Sequence, residues 1–424
     1  MDGVLSQFGP SREEARRRYQ SFVHEDVGET IQQGLRQEIY LGDEPFVTRM
    51  QRRAKVAGDT GTVPRAQRCA LATPVGQIAQ DVVKETPPLR RPTPIGKSPN
   101  TLVSTRRRWN GLCGGEYNNP RTDPAFATPR TGWPWTDHVP RFSEKYKPFQ
   151  HLPRIAIVTP SFNQGDYIEA TIRSILLQRY PALDYVIMDG GSTDGTLDIV
   201  RRYQPWLTYW ESTPDNGQYQ AIGRGFSHTS GEIMLWLNSD DMLMPNSLWA
   251  VASIFASFPE VEWITGIPFL WNREGSFYQV LLQLKYHRRL MALAAYEGRA
   301  IHWVMQEATV WRRTLWDRAG GRIETGHPYA GDFELWLRFA SHAQLYTVAA
   351  LIGGNRQHPA QKTAAQDLYC RDVDAVLKSR PKARIFNRVV RLRFVKLMVR
   401  LFILTTKMRN HIYFDAKADR WAKQ

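Results

Sequence analysis

The chain has 424 residues, 42% hydrophobic and 23% charged, a balance that excludes a disordered polypeptide and leaves room for two or three domains. Its net charge of +15 is unevenly placed: Lys and Arg number 23 against 16 Asp and Glu in residues 1–150, 19 against 23 in 151–374, and 14 against 2 in 375–424. The basic excess sits in the flanks, whereas a nucleic-acid enzyme carries it on the catalytic body, so no nucleic-acid partner is expected. Cys69, Cys113 and Cys370 lack metal-ligand spacing and fit a reducing compartment. No apolar h-region follows Met1, so a secretory signal is not expected, and the longest uncharged runs carry prolines unsuited to a membrane span.

In chain order, residues 1–85 open with "SREEARRRYQSFVHEDVGETIQQGLRQEIY", an amphipathic stretch that predicts one or two helices from an N-cap at Ser11. Residues 86–151 turn proline-rich ("TPPLRRPTPIGKSPN", "NNPRTDPAFATPRTGWPWTDHVP") and predict a linker or surface-hugging extended chain. At Arg154 the texture changes. "RIAIVTP" reads as a buried strand, and the next segment places Ile168, Ile172, Ile175 and Leu176 at helical spacing. "LDYVIMDGGSTDG" is a strand ending in a turn, where Ser192 or Asp194 caps the helix "TLDIVRRY". "WLTYWES" is a third strand, "GQYQAIGRGFSHTSG" a helix closed by Gly231, and "EIMLWLN" a fourth strand. Such alternation predicts an α/β domain over residues 152–374, a mostly parallel central sheet with helices on both faces. Ligands bind beyond the carboxyl ends of such strands, which singles out "TPSFN", "DGGSTDG" and "NSDD".

Those three loops bring Pro160, Ser161 and Asn163 together with Asp189 and the adjacent Asp240 and Asp241. Taken alone, an Asp pair after Asn238 and Ser239 is more often a solvated turn. No Walker A sequence is present, so phosphate binding has to come from elsewhere; a divalent cation on Asp241 supplies it, since Mg²⁺ and Mn²⁺ take few carboxylates plus phosphate oxygens. Trp206, Trp210, Trp236, Trp311 and Trp336 stack on sugar rings or, more commonly for tryptophan, fill the core.

"IAIVTPSFNQGDYIEATIRSILLQRYPALDYVIMDGGSTDGTLDIVRRY" followed by "GEIMLWLNSDDMLMP" resembles the family 2 glycosyltransferases of the GT-A fold, over roughly residues 152–365. The resemblance implies a Rossmann-like sandwich and an inverting, nucleotide-sugar-dependent transfer to an acceptor hydroxyl, in cell-surface glycan or polysaccharide assembly. It implies Pro160, Ser161, Asn163, Asp189 and Asp240 at the nucleotide, with Asp189 accepting from the base. Asp241 is then the principal ligand of Mn²⁺ or Mg²⁺, with His358 of "NRQHPAQKT" approaching the metal or diphosphate and Arg356 offsetting phosphate charge. Asp332 of "HPYAGDFELWLRFA" is the general base, ranked above Glu334, with Gly331 where the family often has a second acid. Gln220 and Gly223 depart from the residues common in the helix beside the donor. The rival readings are a nucleotidyltransferase acting on a sugar phosphate and a non-catalytic binding protein on a decayed GT-A fold.

Residues 375–424 predict a basic amphipathic helical tail. Val390, Phe394, Leu397 and Leu401 form one stripe, and Arg393, Lys396, Arg400 and Lys407 another. Eleven basic residues and no acid lie between Lys378 and Arg409. This suits the anionic inner face of a membrane, with packing on the catalytic body as the alternative, and sets the expected location as cytoplasmic and peripheral to the inner face. A lipid-linked glycan acceptor fits that location.

Overall fold

The computed structural model describes residues 130–135, 152–359, 361–362, 365–406, 409–415 and 418–424. The chain divides into two compact units, one of which, residues 51–118, lies wholly outside the described residues. The expected helices near Ser11 and most of the proline-rich stretch also lie outside them.

The elements run β1 (Ile155–Ser161), α1 (Ile168–Leu176), β2 (Leu183–Asp189), α2 (Thr196–Tyr203), β3 (Tyr209–Ser212), α3 (Gln218–Ser227), β4 (Ile233–Trp236), β5 (Met242–Leu243) and α4 (Ser247–Ser257). They continue with β6 (Trp263–Thr265), β7 (Phe269–Trp271), β8 (Phe277–Val280), α5 (Arg288–Ala292), β9 (Thr309–Arg312), α6 (Arg313–Arg318), α7 (Gly331–His342), β10 (Leu345–Val348) and β11 (Gly353–Arg356). Last come α8 (Gln366–Lys378), α9 (Pro381–Val390), α10 (Arg393–Thr405), β12 (His411–Asp415) and β13 (Arg420–Lys423).

Nine strands form the main sheet in the order β13-β12-β10-β6-β9-β4-β1-β2-β3. The run β4-β1-β2-β3 is parallel, as the alternating sequence predicts, while β9 lies antiparallel between β4 and β6. β1 is buried along its whole length, so its apolar residues do not alternate with polar ones. From β1 the chain steps outward to β2 and β3, then crosses back to β4 on the other side of β1. Right-handed crossovers therefore set α1 and α2 on one face and α3 on the other. The reversal falls between β1 and β4, and a ligand crevice opens at such a switch point. A smaller sheet, β5-β11-β7-β8, packs beside the strand that follows this crevice.

The core is aromatic. Trp236, Trp311 and Trp336 meet within 5.9 Å between ring centroids, with Trp263 and Phe339 beside them. These three tryptophans are core, whereas Trp206 and Trp210 are only partly buried.

Two features depart from the sequence reading. Part of the linker is a docked strap: Trp133 and Trp135 are buried, Trp133 Nε1 donates to Leu243 O at 2.8 Å, and Arg173 lies over the Trp135 ring. The tail is also no separate helix. Residue 375 falls inside α8, and β12 pairs parallel with β10, so the chain end completes the main sheet. The expected stripe breaks at Arg391 and Leu392, between α9 and α10: Val390 is buried whereas Phe394, Leu397 and Leu401 are exposed.

Candidate active site

The β1–β2–β3 register sets Ser161 beside Asp189 and Asp189 beside Ser212, so three polar groups meet where these strands end. Asp189 is spent on its own loop. Its Oδ2 accepts from Gly191 N (3.0 Å), Ser192 N (2.8 Å) and Ser212 Oγ (2.7 Å), and its Oδ1 from Ser192 Oγ (2.5 Å). Asn163 adopts a left-handed backbone (φ 51°), which asparagine tolerates. Its N donates to Ser192 Oγ and its Oδ1 accepts from Thr193 N, tying the first loop to the second. Asp194, not Ser192, accepts from Thr196 N at the start of α2. A Cβ at Gly190 would lie 3.2 Å from Asp215 Oδ2 and 3.4 Å from the Phe162 ring, so that place is shared by a carboxylate and an exposed aromatic face.

The two adjacent aspartates have different surroundings. Asp241 is 0% exposed. Its Oδ1 accepts from Arg356 N (2.9 Å) and, at 3.4 Å, Asn355 Nδ2, and its Oδ2 from Asn238 Nδ2 (3.0 Å). Burial, followed by the charges of Asp240 and Glu307, pushes its carboxyl well above the usual range. Asp240 keeps 18% of its side chain exposed and meets His358 Nε2 at 2.9 Å. Both oxygens of Asp241, the expected chief metal ligand, accept hydrogen bonds from protein donors. His358 faces Asp240. Among the described residues no group of three or more His, Cys, Asp or Glu side chains is arranged to hold a metal ion.

Several buried side-chain nitrogens around Asp240 make no hydrogen bond: Arg356 Nε and Nη2, and His358 Nδ1. Arg356 lies over the Tyr167 ring, and His358 stacks on that ring at 4.4 Å between centroids. Gly353 lets β11 lie close to the Glu307 backbone, since a Cβ there would sit 2.2 Å from Glu307 O.

Asp332 lies in the first turn of α7. Its Oδ1 accepts from Phe333 N (2.8 Å) and Tyr219 OH (3.3 Å). Burial raises its carboxyl above the ordinary range, opposed by these two hydrogen bonds and by the charge of Lys362. Lys362 Nζ donates to Gln218 Oε1 (3.0 Å), and Gln218 Nε2 in turn donates to Asn238 Oδ1 (2.6 Å). Lys362, whose charge acts on Asp332, is thus tied through Gln218 to Asn238 beside the acidic pair. Glu334 is instead tied to Arg338 and Arg380.

Sequence reasoning missed Tyr219, Gln218, Gln306, Glu307, Asn355 and Lys362. Gln306 Nε2 donates to Trp236 O, and Asn355 Nδ2 donates to Glu307 Oε1 at 2.9 Å. Burial pushes Glu307 up to about 7. The signal available was "QEATVW", which sets a Gln-Glu pair just ahead of β9, but nothing in its spacing ties it to "NSDD" 67 residues earlier. Gln220 accepts from Asn216 N, and a Cβ at Gly223 would meet nothing within 4 Å, so these two departures leave the helix intact.

Comparison with known proteins bears on this site. The profile described as Glycosyl transferase family 2 matches residues 156–272. An uncharacterized glycosyltransferase of Mycobacterium tuberculosis is 36% identical over 90 residues, 21% of this chain and 34% of that protein. One of Rickettsia typhi is 23% identical over 215 residues, 50% of this chain and 67% of that protein. The putative teichuronic acid biosynthesis glycosyltransferase TuaG of Bacillus subtilis is 35% identical over 94 residues, 21% of this chain and 36% of that protein. The matched stretch therefore spans about a third of the mycobacterial relative. Among solved structures, S. aureus TarS 1-349 in complex with UDP-GlcNAc aligns at a TM-score of 0.43 and 15% identity, covering 53% of this chain and 65% of that one.

Proposed function

We propose that residues 156–272, which match the Glycosyl transferase family 2 profile, form a glycosyltransferase domain, and that the protein moves a sugar from a nucleoside diphosphate donor to an acceptor hydroxyl with inversion. The observation that carries this reading is the meeting, at one sheet switch point, of Asp240 with His358, the unpartnered guanidinium atoms of Arg356, and Asp332 held by Tyr219. The first two would receive an anionic diphosphate. The last would face the hydroxyl to be deprotonated.

In this mechanism the 161–163 and 189–192 loops hold the nucleoside, and Phe162 with Asp215 offers an aromatic face and an acceptor for the base. Arg356 offsets phosphate charge from a buried position, where a guanidinium deprived of partners gains most from an anion. Asp332 takes the acceptor proton as that oxygen attacks the anomeric carbon in a single displacement. Its raised pKa suits a base working near neutral pH. Asp240 and His358 would hold a divalent cation, Mn²⁺ somewhat better than Mg²⁺ given the imidazole. When bound, that ion supplies Lewis-acid stabilisation of the leaving diphosphate. The fit rests on the carboxylate–imidazole pair, while the orphaned Arg356 nitrogens beside it suit the diphosphate. The likeness to a teichuronic acid transferase supports a role in cell-surface glycan or polysaccharide assembly, with a glycan or lipid-linked acceptor.

Calorimetric titration of UDP, GDP, TDP and CDP, each with and without Mn²⁺, tests the donor half. One nucleotide is expected to bind in a metal-dependent way and to lose that binding in Asp240→Ala. Binding of none under either condition overturns the reading.

A further inference from the structure

We propose that α9 and α10 form a docking surface for an anionic lipid bilayer. Both helices are amphipathic twice over. On the inward side, α9 buries Ala383, Asn387 and Val390, with Asn387 Nδ2 donating to Ala294 O and Glu297 Oε1. α10 packs Val395, Val399 and Ile403 against the core, and Lys396 Nζ donates to Arg299 O. Folding is thus served by one face of each helix.

The opposite faces are apolar as well. On α9, Ile385 is 65% exposed and Val389 43%, and Leu392 follows at 60%. On α10, Phe394 is 73% exposed, Leu397 55% and Met398 50%. Positions 385 and 389 on α9, and 394, 397 and 398 on α10, are the spacings that align side chains along one helix face. Among the described residues before 385, the other exposed large hydrophobics are scattered singly at Phe162, Tyr278, Leu282 and Trp303, which is ordinary for a surface. A concentrated set is not.

Charge decides the occupant. Arg384, Arg388, Arg393 and Arg400 are exposed on the same two helices, and no acid lies between Lys378 and Arg409. A second copy would bring these arginines onto their own like charges. A nucleic-acid backbone would match the charge but leave the apolar faces in water. An anionic bilayer takes both: the apolar side chains enter the acyl boundary and the arginines reach the headgroups. No helix among the described residues is long and apolar enough to cross a membrane, so contact through these helices is interfacial. This surface stands independently of the transfer reading.

The test is flotation of the full chain with phosphatidylcholine vesicles, with and without phosphatidylglycerol, at low and high salt. Binding is expected only with the anionic lipid and should weaken with salt. A basic residue near such a surface contributes about fivefold in partition. Arg393→Glu/Arg400→Glu should therefore weaken binding by at least tenfold. Phe394→Ser/Leu397→Ser should do likewise while unfolding temperature and nucleotide affinity stay unchanged, which separates lost docking from lost folding. Absence of wild-type binding overturns the proposal. So does equal binding to neutral vesicles, or a dimer in light scattering that the Phe394→Ser/Leu397→Ser variant dissolves.

Discussion

The Tyr219 ring lies against Gly331 while its hydroxyl reaches Asp332 at 3.3 Å. A Cβ at position 331 would fall 2.6 Å from two atoms of that ring. The residue that holds the carboxylate is thus the one that forbids a second acid before it. Tyr219→Phe keeps the ring and removes a hydrogen bond that lowers the Asp332 pKa. Turnover should fall about tenfold or more, as loss of one hydrogen bond to a charged group, about 1.5–3 kcal/mol, allows. The acidic limb of the rate profile should move to higher pH, with donor KM unchanged. Asp332→Asn should cost about 10²–10⁴ in kcat with nucleotide affinity retained. An Asp332→Asn enzyme with near-normal turnover would remove the base from Asp332.

Asp240 and Asp241 should separate cleanly. Asp240→Ala touches a half-open carboxylate and should abolish metal-dependent nucleotide binding with little change in unfolding temperature. Asp241→Ala strands the Arg356 N–H and the Asn238 amide, each buried donor costing about 1–3 kcal/mol. Thermal unfolding of both variants, beside nucleotide titration, distinguishes the roles; the reverse pattern would restore Asp241 as the ligand.

The strap residue Trp133 fills the core behind β5 and bonds to Leu243 O. Trp133→Ala should destabilise the protein by about 3 kcal/mol or more, the range for a buried aromatic. Because β5 directly follows Asp241, nucleotide affinity should weaken as well. Urea unfolding and calorimetry on the same preparation read both effects.

Glu307 predicts a pH dependence. Its folded pKa, about 7, lies above the ordinary carboxylate value. The native state therefore holds more protons than the unfolded chain between these values, and stability should fall as pH rises from about 4.5 to 7. Asp241 and Asp332 are shifted in the same direction and add to the slope. Glu307→Gln should flatten part of it. Urea midpoints at pH 5 and pH 8 in metal-free buffer give the comparison; an unchanged slope would mean that Glu307 is ionised throughout.

What was legible in the sequence follows from how locally each feature is encoded. β1, β2, β3 and β4 announce themselves by apolar runs, and right-handed crossovers then fix their order, so the loops at 161–163, 189–195 and 238–241 were found together. The difference in surroundings between Asp240 and Asp241 was not legible. It turns on which carboxylate meets Arg356 N, 115 residues away, and the irregular turn after β4 carries no periodicity to say so. Tyr219 carried no local signal because its partner Asp332 is 113 residues on. The tail misled for the opposite reason. Its helical spacing is real, but a break at Arg391 and Leu392 rotates the second helix relative to the first, and the strand pairing of β12 has no counterpart in local pattern.

That pairing of β12 with β10 has a practical corollary. A chain cut at residue 374, where composition invites a boundary, would lose a sheet margin along with a tail. β10 would then show bare backbone donors and acceptors to any passing strand, the usual route to aggregation. The native margin, β13, is four residues long and carries Arg420 and Lys423, with Lys423 paired to Glu260. Charged and short, it is a poor template for another strand. A shortened protein that precipitates would thus be reporting an unprotected edge and would say nothing about whether the transferase fold is sound.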